Sequence, residues 1–143
     1  MRILCLDYHN PYNNDRHDDM MDTIAKAVYP DIPKILCPHK TSDCKRYLSD
    51  SVQNKRPYDL LVICADPKDE PLFYRFECQR LIRFMLHYLR RSTPGYNIPV
   101  VVLNMDKQLD INRHNMSTIH SLKELQTVIT NIQAKKSEVT YYA

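Results

Sequence analysis

The sequence contains a single glycine, Gly95, among 143 residues. It lies in Ser92-Thr93-Pro94-Gly95-Tyr96, where Pro-Gly is ordinary turn chemistry. Loops that cradle phosphate through closely approaching backbone N–H groups need several glycines at fixed spacing, so dinucleotide-binding fingerprints and Walker-type loops are excluded. Long apolar runs are missing too. The longest, near Leu60 to Ala65, falls far short of the roughly 20 residues that cross a bilayer, and no membrane partner is expected. At the start, Arg2 is followed by Asp7 before any extended apolar region, which argues against a secretory leader and for a cytoplasmic protein. Neither sign of charge dominates. Twenty basic residues against 17 acidic ones give a net charge of +3, so nucleic acid is not expected as the partner of this domain.

Paired-cysteine spacing is also absent. The five cysteines are an odd number, and Cys5, Cys37 and Cys64 fall within apolar strand-like runs, which suits buried thiols better than bridges. Cys37, His39 and Cys44 lie near one another in sequence but lack the CxxC pair and second cluster of a structural zinc site. No metal and no cofactor is therefore expected. Cys64, with no base visible beside it, reads as an inert strand thiol. The content of 43% hydrophobic and 26% charged residues is that of an ordinary globular chain, and its length suits one core.

What is present is an alternation of short Ile/Val/Leu-rich runs with segments of helical spacing, the pattern of βαβ units. Arg2 to Leu6 reads as a first strand. Asp18 or Asp19 caps a helix with Met20, Met21, Ile24, Ala27 and Val28 on one face. Lys34 to Cys37 is a short second strand, and Thr41 or Ser42 opens a helix with Cys44, Tyr47, Leu48 and Val52 inward. Asp59 to Cys64, with its continuous Leu60-Leu61-Val62-Ile63, suits a central strand covered on both faces. A long helix then reaches about Arg91, striped by Cys78, Leu81, Ile82, Met85 and Leu89. Pro99 to Leu103 is a fourth strand, residues 104–115 show no apolar period, and Ser117 to His120 is a fifth strand. Ser121-Leu122-Lys123-Glu124 is a capping-box pattern opening a last helix with Leu122, Leu125, Val128, Ile129 and Ile132 on one face. The expectation is a single doubly wound α/β domain over residues 1–134, with strand order 2-1-3-4-5, a short or irregular fourth crossover and a flexible tail at 135–143.

Open parallel sheets place their sites at the carboxyl ends of the strands. Those ends carry Asp7, His39, Asp66, Asn104 with Asp106, and His120 with Ser121 to one edge.

The run Arg2-Ile3-Leu4-Cys5-Leu6-Asp7, the element order that follows, and Lys55-Arg56-Pro57-Tyr58-Asp59-Leu60-Leu61-Val62-Ile63 resemble a response-regulator receiver domain, a flavodoxin-like fold. The resemblance spans nearly the whole chain in element order. It implies an acid pair after the first strand that holds Mg²⁺, a phosphoaccepting aspartate ending the third, a hydroxyl after the fourth and a lysine after the fifth. By position, the acid pair falls on Asp7 and Tyr8, the phosphoacceptor on Cys64, the hydroxyl on Asn104 and the lysine near His120. Asp66, two residues beyond Cys64, is the nearest aspartate. Phosphoryl transfer depends on such parts acting together, and their joint replacement implies a degenerate, pseudo-receiver type. Asp7 and Asp66 are the only weak metal candidates.

Two readings of function follow. In the first, the chain is a non-phosphorylated receiver-like regulatory module working in signalling or assembly through contacts with a protein partner or a second copy. Its surface would be the long helix, where Phe73, Phe76, Arg80, Arg83, Leu86, His87 and Arg90 lie away from the apolar stripe. The alternative is a small enzyme or a small-molecule- or nucleotide-binding protein using Asp7, Asp66 and His120 at the strand ends.

Overall fold

Four consecutive large aliphatic residues, Leu60-Leu61-Val62-Ile63, cannot leave one face of a strand in water, and they occupy the centre of a sheet. The computed structural model describes residues 1–7, 15–64, 71–89, 91, 93, 97–103 and 116–142, without the side chains of 15–17, 71–75, 82, 86 and 137–142. Strands β1 (Arg2–Asp7), β2 (Lys34–Leu36), β3 (Leu60–Cys64), β4 (Val100–Leu103) and β5 (Met116–Ile119) form one sheet in the order β2-β1-β3-β4-β5. All four pairings are parallel. This is the doubly wound layout expected from the sequence. β3 is buried at every position, whereas the edge strand β2 exposes Lys34 and Leu36.

Parallel strands need long crossovers. Three of them carry α1 (Asp15–Val28), α2 (Thr41–Gln53) and α3 (Pro71–Arg83), and α4 (Leu122–Tyr142) follows β5. α3 continues as a π-helical segment, Phe84–Leu89. The fourth crossover, residues 104–115, lies outside the described residues.

Side chains alternate across a strand, so each strand feeds two cores. On one face Leu4, Leu6, Leu61, Ile63, Val100 and Val102 pack with Cys44 and Leu48 of α2 and Cys78 and Leu81 of α3. On the other, Ile3, Cys5, Val62, Cys64, Val101 and Leu103 pack with Met20 and Ile24 of α1 and Leu125 and Ile129 of α4. The helical stripes read from the 3.6-residue period face these cores. Ile82 alone among their members has a side chain outside the description.

The helix ends differ from expectation in two places. α1 starts at Asp15, before the expected caps Asp18 and Asp19. α4 runs to Tyr142, past the boundary at 134 where a loose tail was expected. Residues 135–142 contain no proline or glycine, and Lys136 Nζ donates to Asp59 Oδ2 at 2.8 Å. Asp59 Oδ2 also accepts the Arg2 N–H at 2.8 Å, so one carboxylate joins the starts of β1 and β3 to α4. The cap is formed with a shifted return bond: the Glu124 N–H donates to Ser121 Oγ at 3.2 Å, while Glu124 Oε2 accepts at 2.8 Å from the N–H of His120, the residue before the cap.

Scarcity of glycine has a local consequence after α2. Lys55 takes φ 54°, the left-handed position that glycine normally fills past a helix end. The Arg56 N–H reaches Ser51 O at 2.9 Å and the Lys55 N–H reaches Val52 O at 3.2 Å, the paired bonds of a Schellman closure, and Pro57 follows.

Candidate functional site

β1 ends on Asp7, an acid that is only 2% exposed. Its N–H donates to Pro38 O at 3.0 Å, and His39 donates from Nδ1 to the Asp7 carbonyl at 3.0 Å. The segment after β2 is thereby tied to the end of β1. Register sets Asp7 beside Cys64, Cys64 beside Leu103, and Leu103 beside Ile119. The row of strand ends therefore has an acid and a thiol at its centre and two apolar residues beyond them.

Cys64 is 3% exposed, and its Sγ–H points to Met20 Sδ at 2.9 Å. Cys5, wholly buried two residues before Asp7, points its thiol to the same sulfur at 3.7 Å. Hydrogen bonds with Cys37 and with Cys64, added to burial, push the Cys5 thiol well above its ordinary range. Two thiols remote in sequence, Cys5 and Cys64, thus converge on one thioether, and Cys37 joins them through Cys5, a grouping the sequence reading missed. Its only sequence signal was that Cys5, Cys37 and Cys64 all fall in strand-like runs.

His120 follows β5 and is half-buried. Three strand spacings separate β5 from β1, about 14 Å, so His120 and Asp7 do not share one small pocket. Tyr8, Asp66, Asn104 and Asp106 lie outside the described residues. Among the described residues no group of three or more His, Cys, Asp or Glu side chains is arranged to hold a metal ion. Nor is any described helix long and apolar enough to cross a membrane.

Where β2 gives way to α2, a cavity of about 270 Å³ opens between α2 and α3. Among the described residues its lining includes His39, Lys40, Thr41, Ser42, Lys45 and Arg80 with one acid, Glu77. Glu77 Oε1 lies 3.3 Å from Arg80. Sequence reading placed Arg80 on an interaction surface but did not bring Lys40 and Lys45 to it, because they belong to a different helix end.

The outer side of α3 and its π-helical extension combines cations and rings. Phe76 is 58% exposed with the Arg80 guanidinium over its ring, and Arg83 and His87 are exposed. Tyr88, absent from the sequence-based set, is 62% exposed and stacks on Phe84 with ring centroids 5.2 Å apart. Lys45 from α2 reaches the Phe84 ring, so the patch extends to the cavity rim. Of the other members expected on this face, the side chains of Phe73 and Leu86 and the whole of Arg90 fall outside the description.

No family model and no curated protein matches the chain. Its fold is similar to that of a response regulator receiver domain protein from Bacillus halodurans C-125, with a TM-score of 0.54 over 92% of this chain and 96% of that one. Sequence identity between them is 12%, and the likeness is one of fold.

Proposed function

We propose that this chain is a receiver-like regulatory module that acts through protein contacts and does not run a phosphorylation cycle. The observation that carries the reading is the pair Asp7 and Cys64. At the strand end where the receiver resemblance calls for a phosphoaccepting aspartate stands a buried thiol directed at Met20. An in-line attack on a phosphodonor needs an exposed oxygen with a cation beside it, and a thiol sealed against a thioether offers neither. The mixed face of Phe76, Arg80, Arg83, His87 and Tyr88 supports the second half of the proposal, since arginine and aromatic residues are enriched in protein interfaces.

Incubation with acetyl phosphate, or with beryllium fluoride, in the presence of Mg²⁺ tests the proposal by intact mass and amide NMR spectra. The expected result is an unchanged mass and unchanged spectra. Stoichiometric phosphorylation at Asp66 would overturn it. A second reading, a small-molecule-binding protein with its site at this edge, draws on the cation-lined cavity between α2 and α3. A thermal-shift screen against nucleotides, metals and sugars separates the two readings, because only the second expects a rise in melting temperature.

A further inference from the structure

The sulfur cluster at the end of β1 joins three strands that the sequence keeps far apart. β1 and β2 pair in register up to Leu4 and Leu36, so Cys5 and Cys37 are the next two residues facing each other. The bond from the Asp7 N–H to Pro38 O holds the two chains together beyond that point. Both thiols belong to the face covered by α1, Cys5 in the core and Cys37 half-buried at its margin. Adjacent strands run about 4.8 Å apart, inside the range of about 4.4–6.8 Å between the Cα atoms of a disulfide.

Cys64 is placed differently. Cys5 faces Val62, so Cys64 is its diagonal neighbour on β3. Diagonal positions are about 7–8 Å apart, beyond the span that a disulfide bridges without moving the backbone. Of the three thiols, Cys5 and Cys37 are the pair with geometry for a bond, and Cys37 is the member that solvent reaches.

We propose that Cys5 and Cys37 form a reversible disulfide when the protein meets hydrogen peroxide, a modification that fastens the edge strand β2 to β1. Cys37 Sγ attacks a peroxide oxygen, the O–O bond breaks, and a sulfenic acid and one water result. Cys5 Sγ then attacks the Cys37 sulfur; the S–S bond forms, the S–O bond breaks, and the Cys5 proton leaves with the hydroxyl as a second water. The two sulfurs lose two electrons, which the peroxide oxygens gain. Cys5 is shielded from direct oxidation by full burial, so the order of events is set by exposure. The inference is independent of the proposed function, because it uses neither the phosphoacceptor position nor the face of α3.

Every cysteine falls on a different tryptic peptide, with Cys5 in residues 3–16 and Cys37 in residues 35–40. The folded protein is treated with hydrogen peroxide, alkylated under denaturing conditions, digested and mapped by mass spectrometry. The expected result is a peptide linking 3–16 to 35–40, loss of two of the five free thiols, and their recovery with dithiothreitol. Cys64→Ser leaves the link in place, while Cys37→Ser leaves Cys5 reduced and open to alkylation after unfolding. Peroxide that carries Cys37 to a sulfinic acid with Cys5 still free, or that joins Cys37 to Cys64 or to a second molecule, overturns the proposal. Because the wild-type map alone separates these outcomes, a variant that fails to fold does not blunt the test.

Discussion

Restoring an aspartate at the end of β3 would put a carboxylate where the protein holds a thiol, and the structure sets its cost. Position 64 is 3% exposed, lies beside Asp7 at 2% exposure, and faces the thioether of Met20. A thioether cannot donate a hydrogen bond, so the new carboxylate would be desolvated next to another acid. An uncompensated buried charge costs about 3–5 kcal/mol, a large part of the roughly 5–15 kcal/mol that holds a domain folded. At about 3–4 °C per kcal/mol for a chain of this size, Cys64→Asp should melt about 10–20 °C below wild type at neutral pH. Cys64→Ser, polar but uncharged, should lose only about 1–3 kcal/mol. The charge leaves a signature in pH. The folded Cys64→Asp variant retains its proton where the unfolded chain, with an ordinary carboxyl pKa near 4, has released it. The native state then binds more protons, so the variant's deficit relative to wild type grows as pH rises above about 4 and shrinks on acidification. Urea denaturation of wild type, Cys64→Ser and Cys64→Asp from pH 4.5 to 7.5 reads both effects. A Cys64→Asp protein as stable as wild type at pH 7.5, or a deficit that deepens toward acid, would refute the reasoning.

Lys55→Gly should stabilise the domain by about 0.5–1 kcal/mol, seen as a higher urea midpoint, because a left-handed lysine after α2 carries a steric cost that glycine avoids. Asp59→Ala should cost about 1.5–3 kcal/mol for the lost charge-assisted bond to the Arg2 N–H, whereas Lys136→Ala should cost less than about 1 kcal/mol, since that ion pair is half in water. Thermal denaturation of the two variants side by side tests this ranking. Burial pushes the Cys44 and Cys78 thiols up to about 12. The unfolded thiols ionise near 8.5, so between that pH and 12 the native state holds more protons and stability falls as pH rises; Cys44→Ala/Cys78→Ala should flatten this alkaline loss in urea titrations.

Much of the architecture is legible in local patterns. Period-2 runs and 3.6-residue stripes each report which side of an element meets a core, and alternating strands and helices leave few layouts. The unbroken aliphatic run of β3 marks its central position, and Ser121 with Glu124 announces the start of α4 three residues apart. Elements whose ends depend on distant partners are less legible. α4 outlasts its expected boundary, and the bond from Lys136 to Asp59 crosses 77 positions of sequence. The candidate site divides in the same way. That Asp7 ends a strand was readable, whereas its burial and its placement beside Cys64 were not.

By itself, then, the sequence determined the fold class and ruled out phosphate loops, because hydrophobic period and glycine supply act through neighbouring residues. Only the tertiary structure decided which strand ends meet. It set Cys64 beside Asp7, put His120 three strands away from Asp7, brought Lys40, Lys45 and Arg80 to one cavity, and gathered Cys5 and Cys64 at Met20 with Cys37 beside Cys5. Strand register is a non-local quantity, set by how whole faces pack against helices. A one-residue slip would turn strand side chains such as Cys5, Asp7 and Cys64 to the other face of the sheet, and no local pattern around Cys5, Cys37 or Cys64 encodes that choice.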